Sequence, residues 1–126
     1  MTIENAKNPS EPLERISDIV HQKSRLAILA TLNESGTYGF NSLKQVTKLT
    51  DGNLSRHLEV LEKAGLVTIT KTFVGKRPRT TLTLTDEGLR SLENEVAIMQ
   101  EFLEGVQAAQ HKPERSQNPE LGYSAG

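Results

Sequence analysis

The sequence predicts a mainly α-helical α+β fold, in which helices surround one small β-hairpin and a long helix closes the chain. Three observations predict it. Leu54, Leu58 and Leu61 recur at helical spacing within TDGNLSRHLEVLEKAGLV, Thr50 to Val67. Two runs rich in β-branched residues, Val67 to Thr72 and Thr80 to Thr85, flank a loop bearing Gly75 and Pro78. From Asp86 to Gln110, Leu89, Leu92, Val96, Met99, Leu103 and Val106 follow one another at alternating steps of three and four, a heptad seam.

Taken in order, residues 1–12 read as a flexible lead containing Asn8-Pro9-Ser10 and Glu11-Pro12. Leu13, Ile16, Ile19 and Val20 have helical spacing and predict a first helical region. A break near His21 separates it from SRLAILATL, with Ser24 as the capping residue. Asn33 to Gly39 is turn-rich, and Tyr38 to Phe40 suits a short strand. Asn41 or Ser42 can cap the next helix, which carries Leu43 and Val46, and Ser42 and Gln45 have capping-box spacing. Lys48-Leu49-Thr50 links it tightly to the helix that ends at Gly65, where glycine suits a left-handed cap and Leu66 can fold back on Leu61. The hairpin follows, and Thr85 caps the long helix. These elements form one domain over residues 13–110, and residues 111–126 have the composition of a disordered tail.

Composition narrows the function classes. With 35% apolar and 25% charged residues the chain has the balance of an ordinary globule. The absence of cysteine excludes disulfide frameworks, thiolate metal sites and thiol catalysis. No apolar run reaches membrane-spanning length and no signal-peptide pattern opens the chain, so a cytoplasmic protein without a membrane partner is expected. The net charge of −1 conceals a division. Residues 41–85 hold eight basic side chains against three acids, a net +5, whereas residues 86–110 hold six acids and Arg90, a net −5. Such asymmetry suits one face for a polyanion and another for a different role.

The helix beginning at Thr50 carries the more specific signal. At 100° per residue Leu54, Leu58 and Leu61 share one buried sector, and Arg56 points directly away from it. Gly52 joins the outward face, Asn53 lies on its shoulder, and Ser55 and His57 occupy the flanks. An α-helix fits the major groove, where arginine can bond guanine and asparagine adenine in two places each. Gly52 lowers helix stability but removes bulk where backbone must approach a phosphate. Lys76, Arg77 and Arg79 surround Pro78 at the hairpin tip, a shape suited to straddling a phosphate ridge or entering a minor groove. Lys44, Lys48 and Thr50 can add contacts to the DNA backbone.

Helix, helix, turn, helix, hairpin with a basic tip, long helix is the order of a winged helix-turn-helix. The blocks LTDGNLSRHLEVLEKAGLV, VGKRPRTTLTLT and LTDEG resemble those of small MarR/ArsR-like winged-helix transcriptional regulators, over about Ile16 to Leu103. The resemblance implies a dimeric DNA-binding regulator with Gly52–Glu62 as recognition helix and Gly75–Arg79 as wing. It also implies room for a small-molecule effector, which nothing in the sequence identifies. A metal-responsive version does not fit: cysteine is absent, and His21, His57 and His111 are too scattered to form a site.

The expected function is therefore sequence-specific binding of double-stranded DNA, as a homodimeric repressor on a pseudo-palindromic operator, without a cofactor or metal. The seam Leu89, Leu92, Val96, Met99, Leu103 and Val106, with Leu13, Ile16 and Val20, is the expected dimerisation surface. Two-fold symmetry would then set the recognition helices about 34 Å apart, or a multiple of that. The competing reading is a winged-helix protein–protein adaptor, which would bind DNA weakly and without a steep salt dependence. An enzyme is not expected, because Ser55, His57 and Glu59 are two residues apart and do not face one another on a helix.

Overall fold

The computed structural model describes residues 8–110. A 3₁₀ turn, Glu11–Arg15, precedes α1 (Lys23–Ser35), β1 (Thr37–Gly39), α2 (Phe40–Thr47), α3 (Asp51–Lys63), β2 (Val67–Val74), β3 (Arg77–Leu84) and α4 (Asp86–Gln110). The chain divides into two compact units, one of them Ser17–Glu95; the other comprises, among the described residues, 8–16 and 96–110.

In the unit Ser17–Glu95 the three strands form an antiparallel sheet in the order β1-β3-β2. Thr37 to Gly39 pair with Thr83 to Thr81, and Val67 to Val74 pair with Leu84 to Arg77. Period-two alternation puts Val67, Ile69, Leu82 and Leu84 on one face and a threonine-rich surface on the other. The apolar face meets Ile28, Leu29 and Leu32 of α1, Leu43 of α2 and Leu54, Leu58 and Leu61 of α3 in one cluster, each of these leucines and isoleucines at most 2% exposed. Full burial of each such side chain stabilises by about 1.5–3 kcal/mol, so this cluster holds α3 against the unit.

Several local features follow from their residues. Thr50 caps α3, its Oγ1 accepting from the Asn53 N–H at 3.2 Å. The other end closes in a Schellman arrangement: Gly65, at φ +80°, donates to the Glu62 carbonyl at 2.9 Å, and Leu66 donates to that of Leu61 at 2.9 Å. Thr85 caps α4 by accepting from the Gly88 N–H at 2.9 Å and ties it down by donating to the Gly65 carbonyl at 2.7 Å.

Four expectations are corrected. The helical region expected from Leu13 to Val20 is only the short Glu11–Arg15 turn, after which Ile16 is extended and residues 18–21 turn. The Ser17 N–H bonds Glu95 Oε1 at 3.2 Å, a tertiary partner that replaces a helical one. The lead does not stay irregular through Pro12, which is buried near the start of that turn; residues 1–7 and the expected tail, 111–126, lie outside the described residues. Helix α1 is capped by Gln22, whose Oε1 accepts from the Arg25 N–H at 2.9 Å, rather than by Ser24. Helix α2 starts at Phe40, directly after β1, so Asn41 and Ser42 fall inside its first turn and its N-cap, Gly39, makes no side-chain bond.

Candidate nucleic-acid interface

The buried leucines of α3 fix which side of the helix faces out. Gly52, Asn53, Ser55 and Arg56 are exposed, and His57 is half-buried at the flank. Among the described residues a Cβ at Gly52 would meet nothing within 4 Å, so no packing among them requires this glycine. Among the described residues no carboxylate pairs with Arg56, Lys48, Lys76, Arg77 or Arg79. Lys44 differs: its Nζ lies 2.7 Å from Asp51 Oδ1, bridging the turn between α2 and α3. Lys48 takes the left-handed conformation (φ 59°) that ends α2 and lets the chain enter α3 through Leu49 and the cap Thr50.

The wing is more regular than the sequence suggests. Strand pairing continues out to Val74 and Arg77, leaving a loop of only Gly75 and Lys76. Gly75 has φ +66°, the positive value required at the first loop position of a type II′ hairpin. Lys76 alone therefore occupies the tip, while Arg77 and Arg79, two apart in β3, share one face opposite Val74 and Thr72. Pro78 pairs with Phe73 on the other face, where β3 has a neighbour on one side only and the missing N–H costs little.

A cavity of about 330 Å³ lies between the start of α2 and β3, lined by Gly39, Phe40, Asn41, Ser42, Pro78, Arg79 and Thr80. No side chain caps α2, and its first turn and Arg79 both line this cleft. Such a cleft offers donors and positive charge to a single anionic group. The β1–β3 pairing that sets β3 beside the start of α2 joins residues more than forty positions apart, Gly39 with Thr81 for one, so no local pattern predicts it.

His57 is held from outside its helix, since Arg25 Nη1 of α1 lies 3.2 Å from its Nδ1. Burial, then the cations of Arg25 and Arg56, push its pKa below the ordinary histidine value. His21 is elsewhere, its Nδ1 2.7 Å from the buried carboxylate of Glu95, and His111 lies outside the described residues.

The residues expected to dimerise separate into three groups. Val20 and Leu92 belong to the core of Ser17–Glu95, at 2% and 6% exposure, which corrects their assignment to a partner-facing seam. Their apolar surface is already covered by the chain itself. Leu13, Val96 and Leu103 remain exposed, at 39%, 43% and 53%. Ile16, Leu89, Met99 and Val106 are half-buried.

Residues 24–103, well over half of the chain, match the family model described as a winged helix DNA-binding domain. An uncharacterized protein of Methanocaldococcus jannaschii is 39% identical over 70 residues, which span 56% of this chain and 76% of that one. A transcriptional regulator homologue protein of Pyrococcus horikoshii is 33% identical, with a TM-score of 0.72 over 76% of this chain and 97% of that one. BpsR of Bordetella bronchiseptica, whose DNA binding is regulated by 6-hydroxynicotinic acid, shares the fold at a TM-score of 0.60 and 18% identity, over 72% of this chain and 68% of that one.

Proposed function

We propose that this chain, which belongs to the winged helix DNA-binding domain family, is a homodimeric, sequence-specific repressor acting on a pseudo-palindromic operator. The observation that carries the reading is the front half of α3, where Gly52, Asn53, Ser55 and Arg56 are all exposed on a helix whose leucines are fully committed to the core. In this reading α3 lies in the major groove, with Arg56 reading guanine, Asn53 reading adenine, and Ser55 and His57 at the flanks. Gly52 lets the backbone approach a phosphate. Lys48, Thr50 and Lys44 contact the DNA backbone, as does the cleft formed by Asn41, Ser42 and Arg79. Lys76, Arg77 and Arg79 bring the wing to the adjacent minor groove.

Dimerisation uses Leu13 and Ile16 with Leu89, Val96, Met99, Leu103 and Val106, and operator occupancy blocks transcription. A small-molecule effector has room in a cavity of about 240 Å³ lined by Ile19, Val20, Leu66, Ser91, Asn94 and Glu95 among others. BpsR, which shares the fold, has its DNA binding regulated by such a small molecule.

The test is binding of the purified chain to a random-sequence duplex pool at two salt concentrations, with recovered duplexes sequenced. Recovery of a pseudo-palindrome, weakened steeply by salt, is the expected result. No enrichment and no salt dependence would reassign the fold to a protein–protein adaptor.

A further inference from the structure

We propose that Arg25 is a positioning residue that fixes the imidazole of His57 as a hydrogen-bond donor through Nε2–H, at the flank of the helix that reads DNA. The inference rests on the reading of α3 as the recognition helix and adds to it a residue from α1.

Arg25 Nη1 lies 3.2 Å from His57 Nδ1. A guanidinium carries N–H donors and no acceptor, and it stays charged at any pH the protein meets. Nδ1 must therefore supply a lone pair, and the one proton of the neutral ring sits on Nε2. Among the described residues no group bonds Nε2, so that N–H is available to an outside acceptor.

The guanidinium is not free to turn aside. Its Nε donates to the Ile19 carbonyl at 2.7 Å and its Nη2 to the Asp18 carbonyl at 3.3 Å. The segment carrying those carbonyls is anchored in turn. The Ser17 N–H bonds Glu95 Oε1 at 3.2 Å, His21 Nδ1 bonds Glu95 Oε2 at 2.7 Å, and the Val20 N–H bonds Ser17 Oγ at 3.2 Å. Glu95 is 1% exposed, so this anchor is set within the unit rather than on its surface. Burial and the two neighbouring arginines also favour the neutral ring at pH 7.

The consequence is chemical selection. A fixed N–H seeks acceptors such as guanine O6 and N7, adenine N7, thymine O4 or a phosphate oxygen, and it is repelled by the amino groups of cytosine and adenine. An unrestrained histidine could exchange tautomers and accept from those amino groups as well. Arg25 removes that option without touching DNA itself.

Two measurements test this. In the first, the full chain carries ¹⁵N-histidine and the ring nitrogens are read by long-range ¹H–¹⁵N correlation at pH 7, with the His57 signals assigned by their loss in His57→Gln. Nδ1 should be unprotonated and Nε2 protonated, and Arg25→Met should abolish that preference. A protonated Nδ1 in the unsubstituted chain would overturn the proposal. In the second, fluorescence anisotropy measures affinity for the duplex recovered from the random pool. His57→Gln places an amide N–H where Nε2–H was and should retain affinity, whereas His57→Phe should weaken it about two- to tenfold, the worth of one hydrogen bond. Equal affinity of His57→Phe and the unsubstituted chain overturns the inference while leaving the regulator intact. Failure to recover any duplex removes the regulator reading and this inference with it. Both His57 variants keep Arg25, so the binding arm stands even if Arg25→Met does not fold.

Discussion

Gly52 and Gly88 are both helical glycines, and they are glycine for opposite reasons. A Cβ at Gly88 would run into the Leu66 carbonyl oxygen and sit 2.7 Å from Leu84 Cδ1, because α4 begins pressed against the end of β3 and the start of β2. Gly88→Ala should therefore destabilise the fold by about 1–3 kcal/mol, measured by urea unfolding. Gly52 has open space and an ordinary helical backbone, so Gly52→Ala should raise stability by about 0.5–1 kcal/mol. If the backbone meets a phosphate there, the same variant should bind the recovered operator less tightly; unchanged binding would remove Gly52 from the interface. His57 contributes a pH dependence of its own. Its folded-state pKa is depressed by burial and by Arg25 and Arg56, so below the unfolded value the unfolded chain takes up the proton first. The stabilising contribution is complete above about pH 6.5 and is lost as the pH falls below it. Unfolding curves between pH 7.5 and 5 should show this decline, reduced in His57→Gln; an identical pH profile for the variant would assign the decline to other groups.

Among the elements, α3 was the most legible, because its leucine spacing and terminal glycine agree. Both are local signals, borne out by the burial of Leu54, Leu58 and Leu61 and by the positive φ of Gly65, while the structure assigns the cap to Thr50, which accepts from the Asn53 N–H. Thr50→Ala should cost about 1 kcal/mol in stability, read from the urea midpoint. Ser42 and Gln45 satisfy a capping pattern, yet β1, paired with β3, delivers the chain straight into α2 at Phe40, which places both inside the helix. Gly75 and Pro78 both mark turns, so the sequence predicts a loop bearing both. Only cross-strand pairing shows that the ladder passes Pro78 and places Arg79 beside the start of α2. Arg79→Ala should weaken DNA binding at all sequences alike and lower the salt slope by about one, measured by anisotropy titration across salt. A variant that alters sequence preference instead would make Arg79 a base-reading residue.

At the scale of the whole molecule, the residues of the heptad seam differ in exposure. Leu92 is spent on the core, whereas Val96 and Leu103, seven residues apart, present exposed apolar surface on α4. Exposed apolar side chains in register along a helix suit a second helix in the same register. The double variant Val96→Asp, Leu103→Asp should sediment as a monomer at micromolar concentration while keeping its far-UV dichroism. Its affinity for the full operator should fall toward that for a half-site. A chain that is already monomeric without the substitutions would remove dimerisation from the proposed function.

The sequence by itself determined the helix-turn-helix order, the hairpin with its cations, the long helix and the polar front of α3. Helical and strand periods and charge are all written in neighbours a few residues apart. Tertiary structure alone decided that Leu13 to Val20 does not form a helix, that Val20 and Leu92 are core rather than seam, and that Arg79 meets the start of α2. It also decided that His57 answers to Arg25. Each of these turns on a partner distant in the chain, Glu95 for the segment at Ser17 and α1 for the flank of α3. A buried hydrogen bond to such a partner outweighs the weak local preference that a sequence pattern records.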